Sequence, residues 1–199
     1  MSILNKTVEC MPRGELRRLQ SERLVAQVKK CYERVECFRK RMDEKGLRPE
    51  DIHGVEDLPK LPFSYKKDLR DYYPFGLFAE PMENVVRVHA SSGTTGKRIV
   101  VGYTKKDLDM WANCIERMLV AVGVSDKDIV QVSFGYGLFT GGFGLHSGAE
   151  RLGATVIPMS SGNTSLQIQT MIDFGATVLC CTPSYAMYLG ETVENMGLK

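Results

Sequence analysis

The sequence predicts an α/β fold in which a helical, loop-rich N-terminal region, residues 1–83, precedes an α/β subdomain, residues 84–199. Three apolar runs, "DIVQVSF", "ATVIPM" and "TVLCCTP", begin about 25 residues apart and predict strands. Helix-like segments lie between them, and this alternation favours parallel strands with right-handed crossovers. Upstream, "VVRVHA" and "RIVVGYT" predict two short strands that flank a loop rich in hydroxyl groups and glycine.

The N-terminal region begins with helical periodicity. Apolar residues recur at spacings of three to five between Arg13 and Lys45, which predicts one helix or two helices in series with one apolar face. Gly46 is a plausible stop. Five prolines between positions 47 and 83 then predict a connector with short helices, one of them capped by Ser64.

Helices are expected between the strands of the subdomain. Thr104 and Asp107 fit a capping box that opens the first helix, and Gly123 closes it. The other helices are expected over 142–152, over 166–174 and from Pro183 or Ser184 to Met196. Ligands of such sheets bind at the carboxyl ends of the strands, which singles out the loops 91–98, 134–142, 159–164 and 182–185.

The composition narrows the classes of partner. The 26 basic residues are interleaved with 24 acidic ones for a net charge of +2, which argues against nucleic acid. No apolar run approaches the roughly 18 residues of a membrane span, and the N-terminus does not resemble a signal peptide, so we expect a cytoplasmic protein without a membrane partner. The six cysteines form no C-x-x-C pair, and we expect reduced, packed thiols, with Cys180 and Cys181 in a buried strand.

The loop in "HASSGTTGKR" is the first candidate site. Small or absent side chains let successive N–H groups point inward, and such a concave backbone with hydroxyls beside it suits phosphate oxygens. It is not a Walker A loop, because only Thr94 and Thr95 separate its glycines and Arg98 follows the lysine. The residues assigned to phosphate are Ser91, Ser92, Gly93, Thr94, Thr95, Gly96 and Lys97. A polar hairpin connection is the alternative.

A second candidate is "SFGYGLFTGGFGLHSGAERLG", residues 133–153, in which glycines alternate with aromatic residues. Both possible dinucleotide fingerprints are one residue too long. What remains is close backbone approach at the glycines, with Phe134, Tyr136 and Phe139 available as an apolar wall. Aromatic residues after a strand are also common in cores, so packing is the alternative.

The histidines and serines do not form a recognisable catalytic or metal-binding motif. The three histidines, His53, His89 and His146, have no metal-ligand spacing, so we expect no metal site in this chain. His89 is expected to be structural. None of the serines lies in a G-x-S-x-G elbow.

Several segments together resemble the phenylacetate-coenzyme A ligases of the adenylate-forming superfamily. The resemblance is carried by "SSGTTGK", "VVGYT", "YGLFTGGFG", "GAERLGATVIP" and "TPSYA", and by "ELRRLQSERL" and "LPFSYKKDLRDYYPFG" nearer the N-terminus. It implies activation of an aryl acetate with ATP and Mg²⁺ to an acyl adenylate, followed by transfer to coenzyme A. It also implies that residues 91–97 grip the ATP phosphates.

The resemblance implies roles for a second set of residues. Phe134, Tyr136, Phe139 and Gly141 match the stretch that lines the aryl pocket, and Thr182 to Tyr185 lie on the same side of the sheet. The sequence departs from the family pattern at Arg98, where many members have proline, at Phe134, where many have tyrosine, and at Ser147, where many have an aromatic residue. Phe134 keeps an apolar wall but lacks a hydroxyl, which leaves the acid open.

Length is the largest departure. Family members are considerably longer, and the resemblance assigns the adenine, ribose and Mg²⁺ contacts and a mobile domain with the adenylation lysine to the segment that follows residue 199. We therefore expect the fold to be incomplete and this chain alone not to complete the reaction. The alternatives are a non-catalytic module that binds phosphate or another chain, and a related enzyme for a different acid. The resemblance also implies a homodimer, although packing equally explains the amphipathic N-terminal helix.

Overall fold

A computed structural model describes residues 2–91 and 97–198 of the chain. It divides into two compact units, one of Asn5–Lys105 and one of Lys106–Lys199 with Met1–Leu4. The two strands after residue 84 thus belong to the first unit, whereas the predicted subdomain 84–199 joins them to the parallel strands. The division into 1–83 and 84–199 stays a prediction about domain organisation.

The first unit is mostly helical, as predicted. Its helices are α1 (Lys6–Glu9), α2 (Arg13–Arg34), α3 (Glu36–Glu44) and α4 (Asp68–Asp71), with 3-10 turns at Pro49–Asp51, Val55–Lys60 and Met82–Asn84. Val35 adopts extended backbone and separates α2 from α3, which confirms two helices in series. Their apolar faces meet in a small core around Val28, Met42 and Ile52. Gly46, with φ of +67°, follows α3 as expected.

The predicted cap at Ser64 is wrong. The helix α4 begins only at Asp68, and the preceding Lys67 makes no side-chain cap. The carboxylate of Asp68 itself accepts a hydrogen bond from the Tyr65 backbone N–H, at 2.7 Å. Asp68 is only 4% exposed because its carboxylate also binds Arg41 of α3. The first residue of this short helix is thus bound to a partner distant in sequence.

A β-hairpin ends the first unit. Its strands, β1 (Val85–Ala90) and β2 (Val100–Thr104), pair antiparallel, with Ala90 opposite Val100. The pairing continues for one more residue on each side, because the Ser91 N–H donates to the Ile99 carbonyl at 2.9 Å. The two predicted strands on either side of residues 92–96 are confirmed.

The second unit is an α/β arrangement in which helices alternate with the strands of a parallel sheet. Its elements are α5 (Lys105–Ala121), β3 (Ile129–Val132), α6 (Gly141–Leu152), β4 (Thr155–Ile157), α7 (Thr164–Phe174), β5 (Val178–Cys180) and α8 (Pro183–Asn195). The strands are parallel in the order β4-β3-β5, so the predicted sheet is confirmed. The strands are shorter than the apolar runs, while the helices begin and end within about two residues of their predicted bounds.

One face of the central strand β3 lies in the main core of the second unit. Val130 and Val132 are fully buried in the main core with Leu119 of α5 and Ala149 of α6.

Two glycines of α6 let that helix approach α5: a Cβ built on Gly148 lies 2.3 Å from Cγ2 of Ile115. A Cβ on Gly144 lies 2.6 Å from the Trp111 ring. These two glycines therefore serve helix packing.

The cysteines only partly follow the prediction of packed thiols. Cys37 is buried, but Cys10 and Cys114 are exposed. Cys180 and Cys181 are half-buried, because β5 has a paired strand on one side only within the described sheet. No helix in residues 2–91 and 97–198 combines the length and apolar character needed to cross a membrane.

Candidate functional site

A cavity of about 430 Å³ lies at the carboxyl ends of β3, β4 and β5, and we call it the strand-end cavity. It is lined by Ser133, Phe134, Gly135, Ser161, Gly162, Thr182, Ser184, Tyr185 and Tyr188. Its volume falls within the range of small-molecule sites. Three of the four loops that the sequence singled out, after β3, β4 and β5, thus meet at one concavity, as expected for a parallel sheet.

Backbone hydrogen bonds join the first residues of the loops after β3 and β4 to the neighbouring strands. The Ser133 N–H donates to the Cys180 carbonyl at 2.9 Å, and the Ser160 N–H donates to the Val132 carbonyl at 3.1 Å. The loop after β4 then turns sharply, since Ser160 has φ of +65° and Asn163 has φ of +47°. Residues other than glycine are uncommon in the left-handed region, and they cluster at functional sites where the surrounding structure fixes the backbone. They shape the wall of the cavity formed by Ser161 and Gly162.

A buried polar network lies behind that wall. The side-chain amide of Gln167 in α7 donates to the carbonyls of Ser160, at 3.1 Å, and Gly162, at 2.9 Å. Its Oε1 accepts from the Ser133 hydroxyl at 2.5 Å. Gln131 Nε2 also reaches Gln167, and both glutamines are completely buried. Because unpaired amides are costly to bury, this network fixes the loop after β4 to the end of β3.

The third wall is the N-terminus of α8. Thr182 is its N-cap and accepts from the Tyr185 N–H at 3.4 Å, with Pro183 in the first helical position. This is the arrangement that the "TPSY" turn favours. The hydroxyls of Tyr185 and Thr164 lie 3.3 Å apart, so α7 and α8 are joined at the rim of the cavity.

The four residues assigned to the aryl pocket occupy different positions. Phe134 lines the strand-end cavity, and a Cβ built on Gly141 would lie 3.5 Å from its ring. Tyr136 instead packs edge-on to Phe143, and its hydroxyl lies 3.2 Å from Nδ1 of His146. Phe139 is 66% exposed. The structure therefore places Gly141 against the Phe134 ring, but among the four residues only Phe134 lines the cavity, and the aryl role of all four stays a prediction.

Burial sets the protonation state of Tyr136. Desolvation raises the pKa of its hydroxyl to about 12, so the phenol is neutral near pH 7. His146 also contacts Glu150, with Nε2 2.9 Å from Oε1. Tyr136, His146 and Glu150 thus form a short polar chain along one face of α6.

The hairpin carries the ends of the predicted phosphate loop. The hydroxyl oxygen of Ser91 accepts from the Ile99 N–H at 3.0 Å, which closes the loop base while leaving its own hydrogen free to donate elsewhere. Lys97 is exposed, and its ammonium lies over the Tyr73 ring. The remaining predicted residues, Ser92, Gly93, Thr94, Thr95 and Gly96, lie outside the described residues. Elsewhere in the described chain, no group of three or more histidine, cysteine or acidic residues could hold a metal ion.

Sequence reasoning missed two residues of this site. Gln167 received no role, and Tyr188 lines the cavity one turn beyond the expected "TPSY" stretch. Gln131 could have pointed to the network, because a glutamine within the apolar run "DIVQVSF" needs a buried partner. Which residue supplies that partner depends on the crossover from β4 to α7.

Curated proteins give extensive sequence matches, although no protein-family model matches the chain. A phenylacetate-coenzyme A ligase of Thermus thermophilus is 53% identical over 191 residues, which is 96% of this chain and 43% of that ligase. A phenylacetate-coenzyme A ligase of Escherichia coli is 53% identical over 187 residues, 94% of this chain and 43% of the ligase. The chain therefore spans less than half the length of these relatives and corresponds to an N-terminal portion of them.

Solved structures of a CoA ligase also match this chain over most of its length. A 2-hydroxyisobutyryl-CoA ligase in complex with 2-HIB-AMP and CoA matches with a TM-score of 0.88 and 28% identity, over 94% of this chain and 41% of that one. The same ligase in an open conformation matches with a TM-score of 0.87 and 27% identity, over 94% of this chain and 45% of that one. The predicted α/β fold of the adenylate-forming ligases is confirmed.

Proposed function

We propose that this chain, which corresponds to an N-terminal portion of a phenylacetate-coenzyme A ligase, supplies the phosphate grip and part of the acid site of an AMP-forming acid-thiol ligase. The whole reaction joins an aryl acid to ATP as an acyl adenylate, with release of pyrophosphate, and coenzyme A thiolate then displaces AMP. The observation that carries the proposal is the identity of 52–53% to phenylacetate-coenzyme A ligases over 92–96% of the chain.

The loop of residues 91–97 would hold the ATP phosphates. Negative charge develops on the α-phosphate and on the departing pyrophosphate, and fixed donors aimed at that charge accelerate such steps. Backbone N–H groups, the hydroxyls of Thr94 and Thr95 and the Lys97 ammonium are donors of this kind. Two hydrogen bonds between Ser91 and Ile99 join the ends of the loop and support a role in phosphate binding. A hairpin closed in this way can position the loop without the dipole of a helix.

Other cations must share this charge. Mg²⁺ bound to the phosphates would neutralise part of it. We expect its protein ligand, the adenine and ribose contacts and much of the coenzyme A site to come from the part of the relatives that this chain does not span. Such a protein would act in the cytoplasm in the breakdown of aromatic acids, and the homodimer remains part of this proposal.

The acid would lie against Phe134 and the glycines that follow it. A planar ring suits the flat side chain of Phe134, and Gly141 and Gly142 let the backbone approach closely. Because the strand-end cavity has both aromatic and hydroxyl groups, it offers apolar contact together with a few hydrogen-bonding positions.

Kinetics of loop variants test the phosphate role. Thr94→Ala, Thr95→Ala and Lys97→Ala would be made in the protein expressed from the complete open reading frame, and pyrophosphate release would be measured with ATP and phenylacetate. Removal of a transition-state donor lowers kcat by about 10²-fold or more. Lys127→Ala, at an exposed lysine of the second unit, is the control. Unchanged rates in all three loop variants would remove the phosphate role.

A related ligase for a different acid is the second candidate. It is favoured by the match to a 2-hydroxyisobutyryl-CoA ligase and by Phe134. A panel of aryl acetates, indole acetates, benzoates and short hydroxy acids, ranked by kcat/KM with the same protein, separates the two. A non-catalytic module would bind ATP without turnover, and a stop codon directly after codon 199 would favour it.

A further inference from the structure

The orientation of the Gln167 side chain follows from its neighbours. Nε2 lies 3.1 Å from the Ser160 carbonyl oxygen and 2.9 Å from that of Gly162. Carbonyl oxygens only accept hydrogen bonds, so the NH₂ group must face them and Oε1 must point the opposite way. An inverted amide would place Oε1 against two acceptors in a buried site, at the cost of three hydrogen bonds.

The direction of the next hydrogen bonds is thereby fixed. Gln131 Nε2 lies 3.3 Å from the Gln167 backbone carbonyl, so this nitrogen is also a donor, and it lies 3.4 Å from Gln167 Oε1. The Ser133 hydroxyl lies 2.5 Å from the same Oε1. An amide oxygen cannot donate, so the single hydrogen of the Ser133 hydroxyl is committed to Gln167. The Ser133 oxygen keeps its lone pairs but has no hydrogen left to give.

Ser133 is also the deepest polar residue of the strand-end cavity. It is 6% exposed, whereas the other lining residues that carry aliphatic hydroxyls, Ser161, Thr182 and Ser184, are exposed. These three can rotate their hydroxyls and exchange partners with water, so they can donate or accept. The inner end of the cavity therefore has a fixed polarity, and its outer rim does not.

We propose that Ser133 is a specificity-determining residue whose oxygen acts only as an acceptor, and that the strand-end cavity selects an aryl acid with an O–H or N–H group at its inner end. The substrate class rests on the proposed function: it is an aryl acid with a hydroxyl or amino group on its ring. The carboxylate, which only accepts, would meet a lone pair at Ser133 and therefore faces the rim. Phe134, beside Ser133 in the cavity wall, would contact the ring.

Two ligands of nearly equal size isolate the hydrogen bond. 4-Hydroxyphenylacetate has a donor, and 4-fluorophenylacetate has none. We would measure their dissociation constants by ligand-observed NMR with the protein from the complete open reading frame, without ATP or coenzyme A. One hydrogen bond to a buried acceptor should favour the hydroxyl ligand by about five- to tenfold. Equal constants, the opposite order or no binding of either ligand would overturn the proposal.

Variants test whether Ser133 is the cause. Ser133→Ala should abolish the preference with little change for the fluoro ligand, while Ser161→Ala at the rim should keep it. A preference that survives in a folded Ser133→Ala protein would overturn the proposal. Gln167→Leu frees the Ser133 hydroxyl to donate and should reduce the preference through another route if that variant folds.

The two proposals fail separately. The binding readout needs no chemistry, so a hydroxyl preference without adenylate formation would contradict only the ligase function. Adenylate formation from phenylacetate with equal binding of the two analogues would contradict only the role of Ser133.

Discussion

The ammonium of Lys97 lies 5.8 Å from the centroid of the Tyr73 ring, within the first unit. A cation over an aromatic face at this distance gains about 0.5–1 kcal/mol at an exposed site. Tyr73 is 43% exposed, so the exposed range applies. The contact therefore favours one position of Lys97, the last residue of the proposed phosphate loop.

Loss of this ring should therefore weaken ATP binding. We expect Tyr73→Leu to raise the KM for ATP about two- to fivefold at saturating acid, because Lys97 loses its preferred position. Tyr73→Phe keeps a ring and should stay close to the parent value. Initial rates against ATP concentration measure both. An equal rise in KM for both variants would assign the effect to the hydroxyl, and no rise in either would contradict the role of the contact.

The Arg41–Asp68 ion pair should be important for the stability of the first unit. Arg41 binds both carboxylate oxygens, at 2.5 Å and 2.7 Å, and Asp68 is buried. Asp68→Asn leaves a guanidinium without its partner and should lower the free energy of unfolding by about 3 kcal/mol. Asp71→Asn, in the exposed pair with Lys67, should change it by less than about 0.5 kcal/mol. Urea unfolding at pH 7 compares them.

The same pair predicts an acid-sensitive stability. Hydrogen bonds from Arg41, and then from the Tyr65 N–H, lower the pKa of Asp68 from 3.8 to about 2. The folded pKa lies below the unfolded one, so the contribution is fully present above pH 4 and is lost as the pH falls towards 2. Asp68→Asn should flatten the curve of unfolding free energy against pH in this window. A curve as steep as that of the parent would contradict the assignment.

One substitution should have opposite effects in two helices. Gly148→Ala places a methyl group 2.3 Å from Ile115 and 3.0 Å from the Glu116 backbone nitrogen, so α5 and α6 must separate. We expect a loss of about 1–3 kcal/mol. Gly190→Ala in α8 meets no atom within 4 Å and should stabilise by up to about 1 kcal/mol through helix propensity. Thermal melts of the two variants should therefore shift in opposite directions.

The buried hydroxyl of Tyr136 predicts a loss of folding stability at alkaline pH. Burial raises its pKa from 10.0 to about 12, so the native state holds this proton more tightly than the unfolded chain does. The contribution is present below pH 10 and is lost as the pH rises from 10 towards 12. Tyr136→Phe should reduce the fall in stability over that window, while Tyr188→Phe, at an exposed ring, should not. Chemical unfolding between pH 9 and 11.5 distinguishes them.

Local patterns predicted the elements well where neighbours in sequence decide them. The helix bounds in the second unit and the alternation of strands and helices after residue 128 follow from residues close to one another. The predicted Ser64 cap is wrong: the helix begins at Asp68, whose carboxylate binds Arg41, 27 residues away. The aryl role of Tyr136 stays a prediction, and the contact of its hydroxyl with His146 on α6 could not be read from residue order.

The sequence by itself therefore determined the fold class, the hairpin that carries the proposed phosphate loop and the three strand ends where a ligand would lie. Each depends on periodicity or on turn residues, which act over a few positions. Only the tertiary structure decided the polarity of the cavity. The Ser133 hydroxyl points its hydrogen at Gln167, 34 residues away, and the two meet because the β4–α7 crossover packs on the same face of β3. Hydrogen-bond direction in a buried site depends on all partners at once, and residue order does not contain it.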